Sequence, residues 1–195
     1  MNPLTLQTWF PVTIGSIECP FIDDIKDKYK KILSKFKYDD NGLCYEQIHK
    51  NKKFDKLNKW ITNNINKYAK AHCFKHTYEP KESWVLDYPI GKGQPFHSHY
   101  GYTISCVFYL EANENDQPTI FANPFLDMKN PTGMNLQNYN DIKLNELSYS
   151  QCEYSCRSGR LVIFRSHISH AVDPKQIKDK RIVFSYNFDP EVSNG

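Results

Sequence analysis

Four of the seven histidines fall in two short clusters, His97-Ser98-His99 and His167-Ile168-Ser169-His170. Imidazole is a common metal ligand, so the spacing matters. In extended backbone, residues two apart point to the same face, and His97 and His99 can therefore reach one ion. A third ligand from a segment remote in sequence would close a facial set of three and leave the opposite coordination positions open. That arrangement suits a ferrous ion that must bind dioxygen. His167 and His170 both follow an apolar strand and both are candidates. His170 is preferred because Arg181 follows eleven residues later, at the start of the strand-like run RIVFSYNF. A guanidinium there can grip a carboxylate in a two-point fork. Ser185 is two strand periods further on, shares the face of Arg181, and can add a hydrogen bond.

The elements that must position these groups are legible in outline. The front half reads as helical. Residues 21–37 place Phe21, Ile22, Ile25, Tyr29, Ile32, Leu33 and Phe36 at spacings of three and four, with lysines on the other side, and residues 52–73 repeat the pattern. An edge strand is expected over 4–14, around Pro11. Asn41-Gly42 reads as a turn. After residue 77 the period changes. ESWVLDYPI, TISCVFYLEA, TIFANPF, SGRLVIFRS and RIVFSYNF read as strands, with GKGQP as a loop and ENDQP as a turn between them. The segment 126–150 is polar and long enough to be a lid or binding loop. Many short strands imply a barrel or sandwich, with the two helices packed on one sheet. No linker or repeat interrupts the chain, so residues 1–195 are expected to form a single domain.

This order of motifs, HSH, TISCVFYL, RLVIFRSHISHAV and RIVFSYNF, resembles the 2-oxoglutarate- and iron(II)-dependent oxygenase superfamily. It is most similar to small, uncharacterised members of its prolyl-4-hydroxylase-like branch. The resemblance covers roughly residues 8–188, including WFPVTIG as an N-terminal strand. It implies a double-stranded β-helix (jelly-roll) core and Fe(II), 2-oxoglutarate and O2 as the reacting partners. By position, it implies iron ligands at His97, His99 and His170, the basic co-substrate anchor at Arg181, and a co-substrate contact at Tyr88. The implied reaction is hydroxylation of an unidentified substrate, a small molecule or a protein side chain, with release of succinate and CO2. The chain departs from most of the superfamily at His99, where a carboxylate is usual. The neutral imidazole leaves the metal site one charge unit more positive. A cupin-like enzyme with three histidines and no need of 2-oxoglutarate, or a bound zinc, is the alternative chemistry. A non-catalytic binding module on the same fold is the third reading.

Composition bounds the rest. An aromatic content of 14% favours strands and a packed interior over disorder. The formal charge of +3 is nearly balanced, and the lysines before Lys92 read as solvated helix faces, so no nucleic-acid partner is expected. Six cysteines without a CxxC pair, in a chain too long to need disulfide staples, point to free thiols in a reducing, cytoplasmic compartment. The N-terminal residues lack a basic stretch followed by an apolar run, so no signal peptide is expected, and no membrane association either. His72 and His76 read as the C-terminal end of a helix, His49 as exposed, and Phe108, Tyr109, Phe121 and Phe125 as core.

Overall fold

The computed structural model describes residues 11–125 and 149–192. Two antiparallel sheets face one another in a jelly-roll, double-stranded β-helix arrangement. The larger sheet has six strands in the order β1 (Ile14–Glu18), β8 (Arg160–Arg165), β5 (Ile104–Glu111), β10 (Ile182–Pro190), β3 (Tyr78–Asp87) and β2 (Leu43–Cys44). The smaller sheet runs β4 (Gln94–His97), β9 (His170–Val172), β6 (Thr119–Ala122) and β7 (Gln151–Tyr154). Two helices, α1 (Ile22–Leu33) and α2 (Asp55–Ala71), cover the outer face of the larger sheet.

Alternation along the strands of the larger sheet creates two apolar layers. Ile182, Phe184, Phe108, Leu161 and Ile163 point outward and meet Ile25, Tyr29, Leu57 and Ile61 of the helices. Edge-to-face contacts link Trp60 with Phe108 (6.0 Å) and Phe54 with Phe184 (5.6 Å). Val183, Tyr109, Val162 and Phe164 point inward and pack with Phe121 and Ile168 beneath the smaller sheet. The acidic first turn and basic last turn of α1 complement its dipole.

Several expectations need correction. The edge strand begins at Ile14 rather than within 4–14. Residues 11–13 are irregular, and 4–10 lie outside the described residues. It does occupy a sheet edge, paired among the described residues with β8 alone. The segment 126–150 lies outside the described residues except for its last two. Strands β2 and β7 carry no clear alternation and are formed by pairing with β3 and β6. His72 caps α2, its Nδ1 2.8 Å from the Tyr68 carbonyl, but His76 lies beyond the helix. His49 is half-buried because its ring meets Ser83 Oγ at 2.8 Å. Phe108, Tyr109 and Phe121 are buried, whereas Phe125 is 49% exposed. All six cysteines are free, and among the described residues no helix is long and apolar enough to cross a membrane.

Two glycines hold the turns. Gly42 adopts φ +78°, and a Cβ there would lie 2.1 Å from the Asp87 carbonyl oxygen. A Cβ on Gly93 would meet the Val172 carbonyl oxygen at 2.3 Å, so only glycine lets this loop lie against β9 and deliver β4 to its pairing.

Candidate active site

A cavity of about 290 Å3 opens between the sheets, and all six residues singled out in the sequence line it: Tyr88, His97, His99, His170, Arg181 and Ser185.

His97 ends β4 and His170 begins β9, and the two are direct partners in the ladder. The third imidazole therefore comes from the start of a neighbouring strand of the same sheet, a short strand that follows the apolar β8. Remoteness in the chain becomes adjacency through the jelly-roll crossover. A register shift between Gln94 and His97 spares β4 an amide donor at Pro95 and turns His97 toward the cavity. His99 lies two residues beyond β4, its backbone N–H donating to the Ser166 carbonyl at 2.9 Å. One ring nitrogen from each of His97, His99 and His170 lies within 4.8 Å of the others. His167 is exposed and outside this group.

The backbone fixes the ring tautomers. Nδ1 of His97 lies 2.8 Å from the Pro95 carbonyl oxygen, and Nδ1 of His170 lies 3.1 Å from that of Ile168. A carbonyl only accepts, so both Nδ1 atoms carry the proton and both Nε2 atoms keep a free lone pair. Burial is the main cause that holds His170 down to about 3. Its bond to Ile168 acts in the other direction, and His97 and His99 add to the depression. His99 is lowered to about 4, first by burial and then by His97. Phe164 and Phe121 wall the His170 ring at 4.6 and 5.8 Å, and Trp84 flanks His99 at 5.5 Å.

The floor of the cavity is a ladder between β3 and β10. Val183 pairs with Leu86, Ser185 with Trp84, and Asn187 with Glu82, and beyond β3 the Tyr88 N–H donates to the Arg181 carbonyl at 3.1 Å. Arg181 is completely buried. Its guanidinium lies over the Tyr88 ring at 4.2 Å, Nη1 donates to the Gln117 carbonyl at 3.2 Å, and Nη1 is 3.5 Å from Asp116 Oδ2. Nε and Nη2 are buried without a protein partner. Unsatisfied buried donors are costly, and two on one guanidinium present the fork that a carboxylate fills. Burial raises the Tyr88 hydroxyl and keeps it protonated.

Chain comparison gives the family. A family model for 2OG-Fe(II) oxygenases matches residues 82–187, more than half of the chain. The chain belongs to the 2OG-Fe(II) oxygenase family. This enzyme family takes its name from iron(II) and 2-oxoglutarate, and membership decides against the cupin-like and non-catalytic alternatives. No curated protein matches the sequence. Solved structures share the fold at low identity. HygX from Streptomyces hygroscopicus, in a complex with nickel, 2-oxoglutarate and hygromycin B, is 11% identical with a TM-score of 0.63, over 93% of this chain and 84% of its own. A Pseudomonas putida prolyl-4-hydroxylase is 12% identical with a TM-score of 0.60, over 92% and 94%. The viral collagen prolyl hydroxylase of Paramecium Bursaria Chlorella virus-1, as its 2OG complex, is 14% identical with a TM-score of 0.59, over 90% and 94%.

Sequence reasoning missed Asp116, which was read as part of a turn although it accompanies Arg181 in the interior. No local pattern ties a turn carboxylate to an arginine so far along the chain. Glu82 and Trp84 were also missed, yet they alternate with Leu86 along β3 and with Tyr88 just beyond it, and counting back from Tyr88 in twos would have found both.

Proposed function

We propose that His97, His99 and His170 hold the ferrous ion of this oxygenase, and that Arg181, with Ser185 and Tyr88, anchors 2-oxoglutarate in the same cavity for the hydroxylation of a substrate. The observation that carries the assignment is the convergence, in one cavity, of three imidazoles and a buried guanidinium with two unpartnered donors. The donor set fits the metal. Three nitrogen donors on one wall of the cavity would hold the ion and would leave room for the co-substrate and O2.

Bound iron and 2-oxoglutarate supply the oxidising chemistry, in which O2 decarboxylates the co-substrate to succinate and CO2 and oxygenates the substrate. The chain contributes orientation and exclusion. Carbonyls 95 and 168 fix the tautomers of His97 and His170, so the lone pairs are preorganised. Asp116 and the Gln117 carbonyl hold one edge of Arg181 and leave the other edge for the distal carboxylate. The inner apolar layer, Leu86, Val183 and Phe164, keeps water from the reacting atoms. Free thiols at all six cysteines support a reducing, cytoplasmic setting, and two sheets that enclose a shared interior, with both helices packed on one of them, support a single domain.

The test is incubation of iron-loaded protein with 2-oxoglutarate and O2, with succinate measured over time. Iron-dependent succinate release is expected, and it should vanish in His170→Ala. Succinate formation that is indifferent to His170→Ala and Arg181→Ala would refute the assignment.

A further inference from the structure

The cavity has two differently charged ends, and 2-oxoglutarate accounts for only one. Along β3, Glu82, Trp84 and Leu86 face the cavity, and Tyr88, just past the end of the strand, continues the row. A strand advances ~3.3 Å per residue, so Glu82 stands about 20 Å from Tyr88. Arg181 lies against Tyr88, at one end of this row. The histidines lie nearer the other end, where Trp84 flanks His99. Glu82 lies one strand period beyond Trp84, on the side away from Arg181.

Glu82 is the one carboxylate among the described residues lining the cavity. It is held in place from behind. Its Oε2 accepts from Asn187 Nδ2 at 2.9 Å. Asn187 Oδ1 accepts from Ser105 Oγ at 2.8 Å, and Ser105 Oγ meets Ser166 Oγ at 2.8 Å. Asn187, Ser105 and Ser166 are each about 1% exposed. A buried polar chain that crosses from β3 through β10 and β5 to the end of β8 thus orients one half-buried acid. Among the described residues no lysine or arginine pairs with it: the ion pairs of the protein lie elsewhere. Two aromatic residues line the same cavity, Trp84, one strand period from Glu82, and Tyr45, 73% exposed. An oriented carboxylate without a cation, in a cavity with aromatic faces, is the chemistry that recognises an ammonium or guanidinium.

We infer that Glu82 is a specificity-determining residue: the substrate carries a cationic nitrogen group, which Glu82 receives between Trp84 and Tyr45 on the side of the histidines away from Arg181. This rests on the assignment of iron to the three histidines and of 2-oxoglutarate to Arg181. The cationic group itself is not oxidised. It is a handle that sets which carbon of the substrate stands over the metal.

The test uses the full chain loaded with zinc, a redox-inert stand-in, and 2-oxoglutarate. Binding of three probes is measured by ligand-observed NMR: Nα-acetyl-lysine amide, its neutral Nε-acetylated counterpart, and the anionic Nα-acetyl-glutamate amide. The cationic probe should bind about ten-fold or more tightly than the neutral one. Glu82→Gln, which retains an oxygen acceptor for Asn187, should reduce that preference to about two-fold or less, and Glu82→Lys should shift it toward the anionic probe. Equal behaviour of cationic and neutral probes, including no binding of either, overturns the inference, as does a preference that survives Glu82→Gln. Calorimetry of 2-oxoglutarate on the same samples separates the two levels. If wild-type protein binds 2-oxoglutarate but does not prefer the cation, only the substrate inference falls. If it does not bind 2-oxoglutarate, the site assignment falls and the inference with it.

Discussion

His97 and His170 stand opposite one another in the β4–β9 ladder with ring centroids 4.3 Å apart, although 72 residues separate them in the chain. Sheet register thus sets the geometry of the proposed metal site before any metal binds. His97→Ala or His170→Ala should therefore abolish stoichiometric Fe(II) binding, measured by metal analysis after gel filtration, and leave the fold intact by circular dichroism. His167→Ala should bind iron like the wild type, because that ring is exposed and outside the cluster.

Arg181→Ala should weaken 2-oxoglutarate binding by roughly 2–5 kcal/mol, the usual consequence of removing one partner of a buried charge pair. Arg181→Lys should recover little, since a lysine ammonium cannot form the two-point fork. The KM for 2-oxoglutarate, measured from succinate production, reports both.

Asp116→Asn removes the charge beside Arg181 Nη1 without removing bulk. It should raise the KM for 2-oxoglutarate and leave kcat for the bound complex nearly unchanged, because Asp116 acts by positioning Arg181. A fall in kcat with KM unaltered would contradict that role.

Metal-free protein should lose stability on acidification. Histidine in the unfolded chain takes its proton near pH 6.5, whereas folded His99 and His170 resist protonation until about 4 and about 3. Between these limits the unfolded state binds more protons, so stability is full above about pH 6.5 and falls as pH drops toward the folded values. A decline in Tm of roughly 5 °C or more between pH 7 and pH 4.5 is expected for the metal-free protein. His170→Gln should flatten the slope, and an unchanged slope would contradict the assignment.

Ser105→Val leaves Asn187 Oδ1 without its donor inside the protein. A loss of about 1–3 kcal/mol in unfolding free energy is expected, read from urea titration.

Much of this site was legible before any coordinates because its signals are local. The i, i+2 spacing of His97 and His99 and the i, i+4 spacing of Arg181 and Ser185 were readable as one-face patterns, although His99 lies just past β4 and Arg181 just before β10, and the two helices declare themselves by apolar spacing. Legibility ended where pairing rather than pattern decides. The two-residue β2 exists only through its pairing with β3, and β1 was displaced because Pro11 and its neighbours are as apolar as the strand that follows them. Asp116 and the Ser105–Asn187–Glu82 chain were invisible for the same reason: each links residues that the sheet topology, not the sequence, makes neighbours.

Anaerobic calorimetry of 2-oxoglutarate with the protein, before and after Fe(II) loading, tests the central claim most directly. One equivalent should bind per chain, only when iron is present, and with that affinity largely lost in Arg181→Ala. Binding of equal strength without metal, or no binding to the ferrous protein, would contradict it.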